Sequence, residues 1–190
     1  MKNLLRPAIS LLLGMTLITG VIYPAAVTLV AQLLFHGAAN GSVITRNDHV
    51  LGSHLIAQPF DDPKYFWGRP SATAPFANNP SASGASNLGP NNSALTDAVK
   101  QRIETLRAAD PDNKGPVPVD LVTASGSGVD PEISPAAAQY QLARIARVRG
   151  IPAADIEKMI SLSTEHRQFG VLGEPRVNVL ELNLRLDGRF

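Results

Sequence analysis

Ser125-Gly126-Ser127-Gly128 is the stretch whose residue types and spacing come nearest to chemistry. It follows a β-favouring run, Val117 to Thr123, and precedes Asp130-Pro131. A Gly-rich turn between a strand and a helix start can offer backbone N–H groups to an anion. These four residues are therefore a candidate anion or turn site. Better-defined chemistries fail on spacing. A Walker loop needs a Lys after its last Gly, and none follows here. A nucleophile elbow needs Gly two residues before and two after its Ser. Ser125 has Thr123 and Ser127 in those places, and Ser127 has Ser125 and Val129. The residues three before Lys64, Lys100, Lys114 and Lys158 are Asp61, Asp97, Pro111 and Asp155, so these lysines complete no Ser-x-x-Lys pair.

His36, His49, His54 and His166 lack the i, i+4 spacing of a helical metal pair, and cysteine is absent. No metal ligand, catalytic residue or cofactor is assigned. Asp61, Asp62, Asp120, Asp130 and Glu132 sit among Pro and Gly neighbours and read as caps and turn residues. A Ser/His/Asp triad assembles only in the fold. A membrane-tethered serine hydrolase using the Ser125 turn, or a small-ligand sensor with the loops as lid, therefore stands as the alternative function.

The second feature is Gln58 to Pro70, which holds the only Trp together with Phe60, Tyr65 and Phe66. Such a cluster reads equally as a small satellite core or a binding surface. Phe66, Trp67, Gly68 and Arg69 are candidate docking residues, with Asn87, Gly89 and Pro90 from the next loop. That loop, about residues 70–92, is rich in Ser, Ala, Asn, Pro and Gly and by composition could be disordered. Its length makes it a candidate docking segment.

The elements that must position these residues are a membrane anchor and one soluble domain. Between Arg6 and Arg46 there is no Asp, Glu, Lys or Arg. The run from residue 7 to 35 is longer than the ~7–15-residue core of a signal peptide and long enough for one bilayer span of about 20 residues. Lys2 and Arg6 precede it and no fixed charge follows until Arg46, so residues 1–6 should stay cytoplasmic and 36–190 should be extracytoplasmic, on a cell inner membrane. Ser10, Gly14, Leu17, Val21, Pro24, Thr28 and Ala31 fall alternately four and three apart, a stripe suited to a partner helix. Pro24 should bend the helix without ending it.

Beyond the anchor, Ser42 to Arg46 and Val50 to Ala57 flank Asn47-Asp48 as a hairpin. Ser93 is expected to cap a helix from about Ala94 to Ala109 with Leu95, Val99, Ile103 and Leu106 on one face, and Pro111 to stop it. Val117 to Thr123 is expected to be a buried strand. Ser134-Pro135 opens a helix ending at Gly150, and Pro152 starts another to about Leu162. Leu180, Leu182, Leu184 and Leu186 alternate with polar residues, which favours a strand, against a capping-box pattern at Asn178 and Glu181. The class is α+β: one transmembrane helix, then one mixed helix/strand extracytoplasmic domain with long Gly/Pro/Ser/Asn-rich loops. Taking Lys2 and Arg6 from the 17 basic residues leaves 15 against 16 acidic ones in that domain, which gives no field for nucleic acid.

Five stretches in order resemble the KdpC family, subunits of the bacterial Kdp potassium-transporting P-type ATPase. They are the anchor with Tyr23-Pro24, Phe66-Trp67-Gly68-Arg69-Pro70-Ser71, Ser86-Asn87-Leu88-Gly89-Pro90, the run from Val117 through Gly128 to Ser134-Pro135, and Leu172-Gly173-Glu174-Pro175-Arg176-Val177-Asn178-Val179-Leu180. Where the family reads Ser-Gly-Gly-Ser-Asn, this chain has Ser83-Gly84-Ala85-Ser86-Asn87, which questions any role needing positive φ at position 85. The resemblance implies an accessory, non-catalytic subunit beside a channel-like potassium subunit, an ATP-hydrolysing P-type subunit and a small membrane subunit. ATP and potassium would be handled by that complex. The family role is a catalytic chaperone that raises the ATP affinity of the hydrolysing subunit. For an extracytoplasmic domain that action is indirect.

Overall fold

The computed structural model describes residues 4–188, and Lys2 lies outside them. The chain divides between Val43 and Ile44 into two compact units.

The first unit is built on one continuous apolar helix, Leu5–Leu34, long enough to cross a membrane. At ~1.5 Å per residue its thirty residues reach about 45 Å, more than the ~30 Å of a hydrocarbon core. It runs as α1 (Leu5–Leu17), a wide π turn (Ile18–Ile22) and α2 (Tyr23–Leu34). Pro7 falls in the first turn, where N–H groups have no intrahelical acceptor anyway. The π turn sits directly before Pro24, whose missing N–H interrupts the regular ladder, and the Tyr23 N–H reaches back to the Ile18 carbonyl. The helix passes Pro24 unbroken. No residue of α1 or α2 is buried. A short α3 (His36–Ala39) follows, and Asn40 closes it by donating to the His36 carbonyl at 2.7 Å.

At the division lies the expected hairpin: β1 (Val43–Arg46) pairs with β2 (His49–Ser53). Asn47 and Asp48 both have positive φ, 50° and 61°, as the favoured two-residue hairpin turn requires. β2 ends at Ser53 rather than Ala57, because the Ile56 N–H folds back onto the Ser53 carbonyl. The helix α4 (Ser93–Ala109) is capped by Asn92, whose side chain accepts the Ala94 N–H at 2.9 Å, so the cap is one residue earlier than Ser93. Leu106 is buried, and Val99 and Ile103 pack against the core.

The strand expected at Val117 to Thr123 is absent. Pro116 and Pro118 can donate nothing to a ladder. The chain instead makes a tight 3₁₀ turn, Val119–Leu121, with the Val122 and Thr123 N–H groups collected on the Val119 carbonyl. Leu121 and Val122 are still buried. The sheet lies elsewhere: β3 (Glu132–Ile133), β5 (Arg176–Asn178) and β4 (Thr164–Glu165) form an antiparallel three-stranded sheet in that order. Ile133 and Thr164 both face Val177 in register. Helices α5 (Pro135–Arg149) and α6 (Ala153–Leu162) are placed as their signals indicate. Ser134 caps α5 at Ala137, and Gly150 takes the left-handed φ of 64° that ends it.

The leucine alternation at 180–186 is a helix, α7 (Val179–Leu186), with Asn178 accepting the Glu181 N–H at 3.1 Å. Leu182 and Leu186 join the main core with Phe66, Ile133, Ile145 and Ile156, while Leu180 and Leu184 meet Ile44 in a second cluster. A helix enclosed on opposite sides buries residues two apart, which copies strand periodicity.

Candidate functional site

The strap from Gln58 to Pro70 is fixed by polar side chains of two helices. Phe66 is fully buried, so its peptide groups cannot turn to water. Asn183 of α7 supplies both partners: its Oδ1 accepts the Phe66 N–H at 2.8 Å and its Nδ2 donates to the Phe66 carbonyl at 2.9 Å. Gln141 of α5 does the same for Trp67, at 2.8 and 3.1 Å. A carboxamide carries one acceptor and one donor group side by side, so each clamp replaces a neighbouring β-strand. Arg144, one turn on from Gln141, donates to its Oε1 at 2.7 Å and to the Pro63 and Tyr65 carbonyls, and lies 4.5 Å over the Trp67 ring. Burial pushes the Arg144 guanidinium down to about 10. Arg149 extends the same face to the Lys64 carbonyl and to Asp187, which also accepts from the Tyr65 hydroxyl.

These contacts bring part of the strap into the core. Phe66 belongs to the main core and Trp67 packs against it half-buried, with its indole N–H on the Asp62 carbonyl. Arg69 leaves the strap and pairs with Asp130 at 3.0 Å. Beside it, a cleft of about 250 Å³ is lined by Phe60, Trp67, Gly68, Arg69, Ser71 and Arg102. Arg102 donates to the Val122 carbonyl at 2.8 Å, and burial lowers its pKa.

The loop at 70–92 and the Ser125 to Gly128 turn are brought together. Ser71 Oγ donates to the Gly128 carbonyl at 2.6 Å, and the Gly84 N–H and Ser83 hydroxyl donate to the Ser127 carbonyl. The Asn79 side chain, buried, donates to the Ala74 carbonyl and accepts the Ser81 N–H. The loop is thus pinned from within despite its composition. Within the turn, Ser125 Oγ is buried and accepts the Gly128 N–H at 2.8 Å, Ser127 Oγ accepts the Val129 N–H, and the Ser125 N–H donates to the Pro70 carbonyl. These groups are engaged in the protein rather than turned to a ligand, and a buried, bonded Ser125 is poorly placed as a nucleophile. Gly126 and Ser127 complete the turn. Asn87, Gly89 and Pro90 are exposed ahead of α4. Asn87, not Ala85, has the positive φ, 52°.

A charged cluster flanks the small sheet. Arg176 on β5 pairs at 2.7 Å with both Glu132 on β3 and Glu165 on β4. Burial raises the Glu132 pKa despite Arg176 opposing it. Among the described residues no three His, Asp or Glu side chains are grouped to hold a metal ion. In the first unit, Ser10, Gly14, Leu17, Val21, Pro24 and Thr28 are exposed, and a Cβ at Gly14 would meet nothing within 4 Å. Sequence reasoning missed Gln141, Arg144 and Asn183. The available signal was polarity at positions that helical spacing assigns to the inner faces of α5 and α7.

Comparison with known proteins agrees with the stretches that carried the resemblance. The profile of the family described as "KdpC: K+-transporting ATPase, c chain" matches residues 5–188. The "Potassium-transporting ATPase KdpC subunit" of Methylococcus capsulatus is 62% identical over 187 residues, 98% of each chain. That of Polaromonas naphthalenivorans is also 62% identical, over 98% of this chain and 95% of its own. The one from Janthinobacterium sp. (strain Marseille) is 57% identical over the whole of both chains. A match of this extent, covering apolar helix, strap, turn and C-terminal helix alike, shows that the chain belongs to the KdpC family of potassium-transporting ATPase subunits.

Proposed function

We propose that this chain is an accessory, non-catalytic subunit that stabilises the potassium-transporting complex and, from outside the membrane, favours the conformations of its P-type subunit that bind ATP well. The observation that carries this reading is the division of labour along the chain. A thirty-residue apolar helix with no buried residue precedes a separate unit whose strap, turn and loop are occupied in holding one another. Such a helix suits a place among partner helices, with Gly14 allowing close approach. Arg6 before the helix and the absence of fixed charge directly after it favour a cytoplasmic N-terminus and an extracytoplasmic second unit. The partners are a channel-like potassium subunit, which the second unit would cover at its entrance, the ATP-hydrolysing subunit and a small membrane subunit. The chain needs no cofactor of its own in this role.

The test is potassium-stimulated ATP hydrolysis by membranes carrying the other subunits, with and without this chain, across ATP concentrations. Loss of assembly or a raised ATP requirement on omission is the expected result. Unchanged activity and ATP dependence would refute the proposal.

A further inference from the structure

The cleft of about 250 Å³ lies between the strap, the 70–92 loop and α4, and its walls are mainly apolar, from Pro59, Phe60, Trp67, Leu106 and Leu121. Arg102 of α4 also lines it. This guanidinium is half-buried and donates from Nη1 to the Val122 carbonyl at 2.8 Å. Its Nε and Nη2 N–H groups have no protein acceptor and reach solvent. Arg69, Arg149 and Arg176 are each paired with a carboxylate, whereas among the described residues Arg102 is paired with none. Burial lowers its pKa, and no neighbouring carboxylate offsets that. A cation drawn partly out of water without a counter-charge is costly. Asp61 lines the same cleft but is exposed and forms no ion pair with Arg102. The Asn78 carboxamide, also on the lining, is unbonded and open to solvent.

We propose that this cleft binds a small organic monocarboxylate, its carboxylate on the Nε and Nη2 edge of Arg102 and its apolar body against Phe60, Trp67 and Leu106. The two free donors lie side by side on one planar edge, the arrangement that takes a carboxylate in a bidentate pair. The charge of the ligand follows from the lining. Arg69 is already taken up by Asp130 at 3.0 Å, and Asp61 repels a second negative charge, so one unpaired cation suits a monoanion. The size follows from the volume. At about 30 Å³ for each water, the cleft has room for about eight non-hydrogen atoms. The Asn78 amide adds a neutral donor from the loop side. A halide ion would satisfy Arg102 but leave the apolar walls wet.

Hexanoate has the right size and charge, and hexanamide is its neutral counterpart. Trp67, the only tryptophan, lines the cleft and reports its occupancy. Hexanoate should change the Trp67 fluorescence of the full chain in detergent saturably, with a Kd of about a millimolar, and hexanamide should not. Arg102→Gln should weaken hexanoate binding about tenfold or more at an unchanged melting temperature, and Asp61→Asn should strengthen it about twofold. Equal responses to hexanoate and hexanamide would overturn the inference, since apolar filling alone would explain them. Binding by Arg102→Gln as tight as by the wild type would overturn it too. If that variant melts early through the lost Val122 bond, Thr105→Phe decides. Thr105 is exposed and lines the cleft, so a Phe there fills it while Arg102 stays in place. A saturable hexanoate response that survives Thr105→Phe refutes the site. Loss of Arg102-dependent binding in the assembled complex, read by saturation-transfer NMR, would give the carboxylate to a partner's side chain and overturn the small acid as occupant.

Discussion

Asn183→Leu removes the carboxamide that holds Phe66 while keeping a side chain of similar size. In the wild type, the Phe66 N–H and carbonyl are bonded to Asn183 at 2.8 and 2.9 Å on a residue with no solvent exposure. Each buried backbone group left unpaired costs about 1–3 kcal/mol, so the pair costs about 2–6 kcal/mol. That is a large part of the ~5–15 kcal/mol that holds an ordinary domain folded. At a urea slope of about 2 kcal/mol per M, a loss of about 4 kcal/mol lowers the midpoint by about 2 M. Trp67 is the only tryptophan and adjoins the clamp, so its fluorescence follows the unfolding of the full chain in detergent directly. An unchanged slope with the lowered midpoint is expected. A midpoint within about 0.3 M of wild type would show that the Phe66 peptide finds other partners, and the account of the strap would be wrong.

Gly128→Ala should destabilise by about 2–4 kcal/mol and open the 70–92 loop to limited proteolysis: φ is 70°, and the new Cβ would stand 2.5 Å from Thr73 Cγ2 and 2.8 Å from the Gly84 carbonyl. Arg144→Lys loses the planar fork that serves Gln141 and two carbonyls and the stacking on Trp67; a drop of about 2–3 kcal/mol, read by the same fluorescence titration, is expected. Gly14→Leu should leave the chain's own melting unchanged, since nothing lies within 4 Å, but reduce co-purification of the complex; equal recovery would remove the helix seam from the account. The folded-state pKa of Glu132 is raised, so the stability this carboxyl contributes is fully present below its unfolded value of about 4.5 and is lost as pH rises through its folded value. The stability of Glu132→Gln relative to wild type should therefore rise over that interval in acid denaturation series, and a difference flat with pH would contradict it.

The sequence by itself determined the features that depend on neighbours along the chain. A long run without charge makes a helix that can cross a membrane whatever lies beside it. Asn47-Asp48 makes a hairpin because two consecutive left-handed residues match strand twist, and Ser134-Pro135 with Gly150 bounds α5 by satisfying its ends locally. Family membership was legible for the same reason, as short motifs in fixed order. Tertiary structure decided what depends on enclosure. The leucine alternation of α7 is a helix because apolar clusters lie on opposite sides of it, a fact no periodicity within those eight residues contains. The 70–92 loop is ordered because its hydroxyls and amides meet a turn some fifty residues away. Phe66 lies in the core, and Trp67 packs half-buried against it, because Asn183 and Gln141 arrive from 117 and 74 residues further along to satisfy peptide groups that would otherwise keep the strap in water.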